Sequence, residues 1–276
     1  MGHTGSTRLG EWTIAMFDRA IVGIDHSPTT GRMLDELGRI QRLGVTRVTL
    51  VTVLGGPYPQ APEVRHRDHY LARLQELAEE LPGLDTAVEV RSGHPATELQ
   101  HAAAAAGADL VIAGSHGHTP WRDLFLGSTV LDLARTCPVP ILLLPLGAPR
   151  PDRGGGVLLA TDGSERAAAA ESLARSLGRD LGGTAVTVLS ASRHVASDER
   201  EAREHLEPFA DASLTPVVEH GPLPETIGRL AEAQAADVII VGTRGRNALS
   251  GLLLGSTAEH LLRTASRPVL LVPAER

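Results

Sequence analysis

Residues 109–145 and 237–273 align without a gap at a constant separation of 128, with 16 of 37 positions identical. Solenoid units repeat every ~20–50 residues, so a period this long makes each copy a whole domain. The identical positions include Gly114/Gly242, Gly117/Gly245, Gly127/Gly255, Ser128/Ser256, Thr129/Thr257, Arg135/Arg263 and Pro145/Pro273. Upstream the copies match more loosely. The run Ala20-Ile21-Val22-Gly23-Ile24-Asp25 faces Val157-Leu158-Leu159-Ala160-Thr161-Asp162. From that aspartate to the first loop glycine, the second copy spans 80 residues against 89. The resulting division is a polar tail over 1–18, a domain over 19–146, a Gly/Pro linker over 147–156 and a second domain over 157–276.

Within each copy, short apolar runs alternate with helical stretches. Strands are predicted over 20–24, 47–54, 87–91, 110–113 and 139–144, and again over 157–161, 185–190, 215–219, 238–241 and 268–272. Helices are predicted over 30–43, 63–80, 96–106 and 128–136, then 165–181, 198–210, 224–234 and 256–264. Continuous Val/Leu/Ile runs separated by helices indicate parallel strands covered on both faces. Aromatics make up only 3% of the chain, so aliphatic side chains and alanine must build the cores. The class is α/β, two tandem doubly wound domains.

In such sheets a ligand sits beyond the carboxyl ends of the strands, where the strand order reverses. Asp25 ends the first strand and Gly114 the fourth; Asp162 and Gly242 repeat this. The loop reads Gly114-Ser115-His116-Gly117, nine residues, then Gly127-Ser128-Thr129; its copy reads Gly242-Thr243-Arg244-Gly245, nine residues, then Gly255-Ser256-Thr257. Glycine admits positive φ and close approach of a ligand to the backbone. Gly-Ser-Thr opens a helical pattern whose free N–H groups and positive dipole end suit phosphate oxygens. Arg135 suits the opposite end of that helix. The plain alternative is that the glycines turn the chain and Ser/Thr caps a helix. Against it, the spacing recurs while the nine intervening residues keep only Leu124/Leu252 and Leu126/Leu254 in common.

Other features narrow the chemistry. The chain has no lysine; all 26 basic residues are arginine. That excludes a P-loop, a Schiff-base lysine and a kinase-type strand lysine. Any phosphate must be held by backbone N–H groups, hydroxyls, arginine or a metal. The net charge of −7, with no dominant basic patch, argues against a nucleic-acid partner. No apolar run approaches the ~18 residues of a membrane span. Cys137 is the sole cysteine, which excludes intrachain disulfides, suits a reducing cytoplasm and reads as structural. His94, His101, His116 and His118 lack companions at zinc-like spacing, so no protein-held metal is expected. Arg244 and Arg246 are phosphate donors or solvated loop residues, and Trp121 and Phe125 share a face if their spacer is helical.

The Gly-x2-Gly-x9-Gly-Ser/Thr pattern, with an aspartate ending the first strand, resembles the universal stress protein family, and more narrowly its tandem-domain, ATP-binding members. The resemblance covers about residues 19–273. It implies an adenine nucleotide alpha hydrolase-like fold, with five-stranded parallel sheets of order 3-2-1-4-5. It implies ATP, with magnesium bridging its phosphates. Asp25 and Asp162 would lie at the adenosine end. Gly114, Gly117, Gly127, Ser128 and Thr129 would hold ribose and phosphates, as would Gly242, Gly245, Gly255, Ser256 and Thr257. Val53 would lie beside adenine, with a second-copy counterpart near Ala191. His116 stands where the second copy has Arg244, so the two sites are expected to be unequal.

The apolar, proline-bounded last strands of the two copies would be aggregation-prone as open edges. Family dimers pair these edges, which implies an intrachain pseudo-dimer; a homodimer of tandems stays open. The functional expectation is an ATP-binding stress-response protein using nucleotide as a regulatory or stabilising ligand. The alternatives are a slow ATPase or nucleotidyl-transferring enzyme on the same fold, and a pairing module that has lost its ligand.

Overall fold

The computed structural model describes residues 17–55, 61–114, 127–146, 154, 156–189, 196–243 and 254–274. The first half runs β1 (Arg19–Gly23), α1 (Thr30–Ile40), β2 (Arg47–Leu54), α2 (Ala61–Glu79), β3 (Asp85–Ser92), α3 (Pro95–Ala106), β4 (Leu110–Gly114), α4 (Ser128–Thr136) and β5 (Ile141–Leu144). The second runs β6 (Val157–Ala160), α5 (Ala168–Leu181), β7 (Gly183–Leu189), α6 (Ala196–Leu206), β8 (Leu214–His220), α7 (Leu223–Ala233), β9 (Val238–Gly242), α8 (Ser256–Thr264) and β10 (Val269–Val272). Short 3₁₀ turns follow α1 and α6 and precede α5, at segments read as continuous helix from sequence.

All strands form one ten-stranded sheet, ordered β3-β2-β1-β4-β5-β10-β9-β6-β7-β8. Each half therefore has the order 3-2-1-4-5 in its own numbering. What differs from two separate five-stranded sheets is the seam: β5 and β10 pair antiparallel, while every other pair is parallel. Leu142 faces Leu270, Ile141 faces Leu271, and Leu143 faces Val269. Positions 142 and 270 are the same place in the two copies, so a local twofold passes through that pair. The seam is what the apolar runs require, because strand residues buried on both faces need cover above, below and alongside.

Two core layers cover the sheet, and each crosses the seam. One includes Leu142, Leu144, Leu270 and Val272, the other Ile141, Leu143, Val269 and Leu271. The outer edges are β3 and β8. There Asp85, Glu89 and Arg91 on one strand and Pro216 on the other discourage further strand addition.

Asp109 and Asp237, which open the repeated segment, have a shared structural task. Asp109 accepts the amides of Asp18 and Arg19 at 2.9 and 3.1 Å, and Asp237 accepts that of Gly156 at 3.3 Å. Each thus ties the start of one strand to its neighbour. Phe17 is buried in the first core layer. Hydrogen bonds from Thr46 and then Arg47 hold the Asp18 carboxyl below the usual carboxylate range. Residues 17 and 18, read with the tail from sequence, belong to the fold.

The register also locates the shortening of the second copy. Matched positions are 137 apart along β1/β6, 135 along β2/β7 and 128 from β3/β8 onward. Two residues are lost before the second strand and seven before the third. The larger loss lies where the 19-residue α2 is replaced by the 11-residue α6 and its 3₁₀ turn.

Candidate functional site

β1 lies between β2 and β4, and β6 between β7 and β9. The turn after each first strand and the end of each fourth strand therefore flank one crevice, at the point where the strand order reverses. The two turns have the same build. Asp25 Oδ1 accepts the amide of Ser27 at 3.0 Å, and Asp162 Oδ1 accepts that of Ser164 at 3.0 Å. In each the middle residue takes positive φ: 54° at His26 and 68° at Gly163. The aspartate uses one carboxylate oxygen to fix its own turn. Asp25 is exposed and Asp162 half-buried.

Across the crevice, Gly114 and Gly127 are glycines for different reasons. Gly114 ends β4, and a Cβ there would stand 2.7 Å from Leu146 Cδ1 and 3.3 Å from Met33 Cε. The Leu146 and Met33 side chains would have to shift to admit a Cβ, so packing favours glycine here beside any role in the crevice. Gly127 is the N-cap of α4, with φ −59°, and a Cβ there would have no atom of a described residue within 4 Å. Neither backbone strain nor crowding by a described residue demands glycine at that position. Gly255 caps α8 in the same way, with φ −63°. Neither helix has a side-chain cap. The first-turn amides of Ser128 and Thr129, and of Ser256 and Thr257, make no hydrogen bond to a described residue. Such amides carry partial positive charge that no described residue absorbs. Ser128 and Ser256 are exposed beside them, Thr129 and Thr257 half-buried. At the far end of each helix an arginine meets the negative dipole; Arg263 also pairs with Glu259 at 2.8 Å.

Gly242 ends β9 and is buried. Gly117 and Gly245 lie outside the described residues, as do His116, His118, Trp121, Phe125, Arg244 and Arg246. Val53 is half-buried in β2. Its second-half counterpart differs from the sequence expectation: Leu50 pairs with Val22 and Ala185 with Leu159, which matches Val53 to Val188. Ala191 lies beyond β7, outside the described residues. Among those residues no group of three or more His, Cys, Asp or Glu is arranged to hold a metal ion. His94 instead lies 3.5 Å from Asp132, and His101 3.4 Å from Glu98. Burial pushes the Cys137 thiol above its usual pKa, as fits a packing residue.

Sequence reasoning missed the groups that brace the turns. In the first half His26 reaches Thr52 and packs against Tyr70. In the second, Thr161, Glu171 and His205 form a hydrogen-bonded chain. Glu171 and Thr161 are buried although the aligned positions of the first half, Leu34 and Ile24, are apolar. The sequence signal was that substitution of polar for apolar residues at matched core positions.

The universal stress protein family model matches residues 16–145 and again 156–273. Over 91 residues the chain is 34% identical to universal stress protein G of Shigella flexneri, taking in 28% of this chain and 63% of that protein. A stretch of 64 residues is 36% identical to universal stress protein Rv1996 of Mycobacterium tuberculosis, covering 23% of this chain and 20% of that one. The chain thus matches less than two thirds of the length of these relatives. A universal stress protein structure from Archaeoglobus fulgidus superposes with a TM-score of 0.75 at 20% identity, over 93% of this chain and 96% of that one, a likeness of fold. No helix among the described residues is long and apolar enough to cross a membrane. The chain belongs to the universal stress protein family and carries two of its domains in tandem.

Proposed function

We propose that each half binds one molecule of ATP in the crevice between its first and fourth strands, as a regulatory or stabilising ligand in a stress or dormancy response. The observation that carries this reading is Gly127. It caps a nine-residue helix, and no atom of a described residue stands within 4 Å of where its Cβ would sit. The free first-turn amides would receive phosphate oxygens there, with the hydroxyls of Ser128 and Thr129 adding donors. Gly255, Ser256 and Thr257 repeat the set. The adenosine would lie toward Asp25 and Val53 in one half and toward Asp162 and Val188 in the other. Gly114 and Gly242 would floor the crevice, and Gly117 and Gly245 belong to the same proposed cradle. Magnesium bridging the phosphates would supply charge neutralisation without a dedicated set of protein ligands. The reading includes a cytoplasmic setting, in keeping with the single cysteine.

A slow ATPase or nucleotidyl-transferring enzyme is the competing reading. Phosphoryl transfer needs charge neutralisation and a positioned nucleophile. The chain has no lysine, and Asp25 and Asp162 would face the adenosine end. Protein purified without added nucleotide is expected to release ATP or ADP on denaturation, read by mass spectrometry of the supernatant. A supernatant free of adenine nucleotide, with no uptake of added ATP, would sink the proposal. Multiple turnovers at ~1 s⁻¹ or faster would favour the enzyme instead.

A further inference from the structure

The two halves brace the same turn by different means. In the first, His26 Nε2 lies 2.8 Å from Thr52 Oγ1, and its ring centroid is 4.9 Å from that of Tyr70 on α2. Thr52 Oγ1 donates to the carbonyl of Ile24 at 3.1 Å, so it accepts from His26 and Nε2 carries the hydrogen. Beside it, the hydroxyls of Ser27 and Thr29 share a 2.8 Å hydrogen bond. A histidine at φ 54° is in a disfavoured state for a residue with a Cβ, and such states persist where the surroundings over-determine them.

In the second half the turn has Gly163 for His26, Ser164 for Ser27 and Arg166 for Thr29. The register makes Thr187 the counterpart of Thr52. Thr187 Oγ1 and Ser164 Oγ are buried without a hydrogen-bond partner among the described residues, and no other side-chain group there is in that position. Thr187 is only 7% exposed. Thus the two orphaned hydroxyls among the described residues are the counterparts of the two satisfied by the first turn. The second half has its own chain: Thr161 Oγ1 donates to Glu171 and accepts the Gly163 amide at 3.1 Å, and Glu171 Oε1 meets His205 at 2.8 Å. That chain fixes the strand end to α5 and α6. The Thr161 amide also donates to the Val186 carbonyl of β7 at 3.0 Å, as Ile24 does to Val51 in the first half, but the Thr187 hydroxyl has no clasp to the turn among the described residues.

We infer that His26 is a positioning residue that pre-sets the first nucleotide site by locking the Asp25 turn to β2 and α2, so that the first site binds ATP more tightly than the second. This rests on the nucleotide reading above. A turn already held in its bound conformation loses less freedom on binding, whereas glycine at position 163 leaves its turn more backbone freedom.

The test is calorimetric titration of ATP into the full chain with one site blocked. Gly255→Asp places a carboxylate at the α8 N-terminus and leaves the first site; Gly127→Asp leaves the second. The first site is expected to bind about tenfold more tightly, the scale of one clasping hydrogen bond. His26→Ala in the Gly255→Asp chain should weaken binding about tenfold, and in the Gly127→Asp chain should change nothing. His26→Gln carries its amide nitrogen to about the place of Nε2 and can donate to Thr52, so it should stay within about threefold of the unmodified first site. Thermal melts identify an unfolded His26→Ala chain, in which case His26→Gly, which relieves the positive φ and lacks the clasp, decides the matter: weakened first-site binding supports the inference and unchanged binding overturns it. Equal affinities at the two sites, or a first site indifferent to His26→Ala, overturn this inference while leaving the nucleotide reading intact. ATP binding to neither blocked chain nor the unmodified one overturns both.

Discussion

Replacing Leu270 with aspartate is expected to unfold both halves together. Leu270 and its partner Leu142 are essentially inaccessible to solvent and sit on the local twofold of the β5–β10 seam. An aspartate there loses the leucine's burial, about 1.5–3 kcal/mol, and strands a carboxylate whose desolvation adds several more, on the order of 3–5. A typical domain has only about 5–15 kcal/mol in total. Circular dichroism and size-exclusion chromatography should find an unfolded or aggregated chain. Leu270→Ala is the graded form, with an expected loss of about 2–5 kcal/mol. Because both core layers cross the seam, its denaturation should stay a single transition. Two separated transitions in that variant would show the halves to be energetically independent.

The second large effect separates binding from stability. Gly127→Asp with Gly255→Asp is expected to abolish ATP binding and leave the melting temperature unchanged or slightly raised. Aspartate is a better N-cap than glycine by only a few tenths of a kcal/mol, roughly 0.3, and its charge suits the helix dipole. At Gly127 no described residue obstructs the side chain. The same carboxylate would face phosphate. At ~4 Å and an effective dielectric of ~20, like charges repel by about 4 kcal/mol, close to a thousandfold in affinity. The isosteric Gly127→Asn, Gly255→Asn pair carries no charge and should retain much of the binding. A doubly aspartate-substituted chain that binds ATP normally would place the phosphates elsewhere.

The fold was legible because its cues are local and doubled. Alternating Val/Leu/Ile runs and helical stretches specify a parallel α/β sheet in each copy. Proline-bounded strands such as 140–145 and 268–273 advertise an edge that needs a partner. The bounds of α4 and α8 followed from Gly-Ser-Thr at one end and arginine near the other. The site was legible in outline only. Gly114 was legible as a glycine at a strand end, but not that the side chain of Leu146, 32 residues away, crowds the place of its Cβ. The clasp of His26 on Thr52 spans 26 residues, and that of His205 on Glu171 spans 34. Such contacts follow from how helices settle on the sheet, which no local periodicity encodes. The placing of the nine lost residues likewise required strand register: helical segments of different length can cover the same two strands, so α2 and α6 share no pattern that fixes their alignment.

The central claim is that one phosphate cradle occurs twice, at the starts of α4 and α8. A crystal structure of the chain grown with a non-hydrolysable ATP analogue and magnesium tests it most directly. The expected result is phosphate oxygens within hydrogen-bonding distance of the Ser128 and Thr129 amides, and of Ser256 and Thr257, with adenine toward Asp25 and Asp162. An analogue bound away from both helix starts, or both crevices empty at saturating concentration, would contradict the claim.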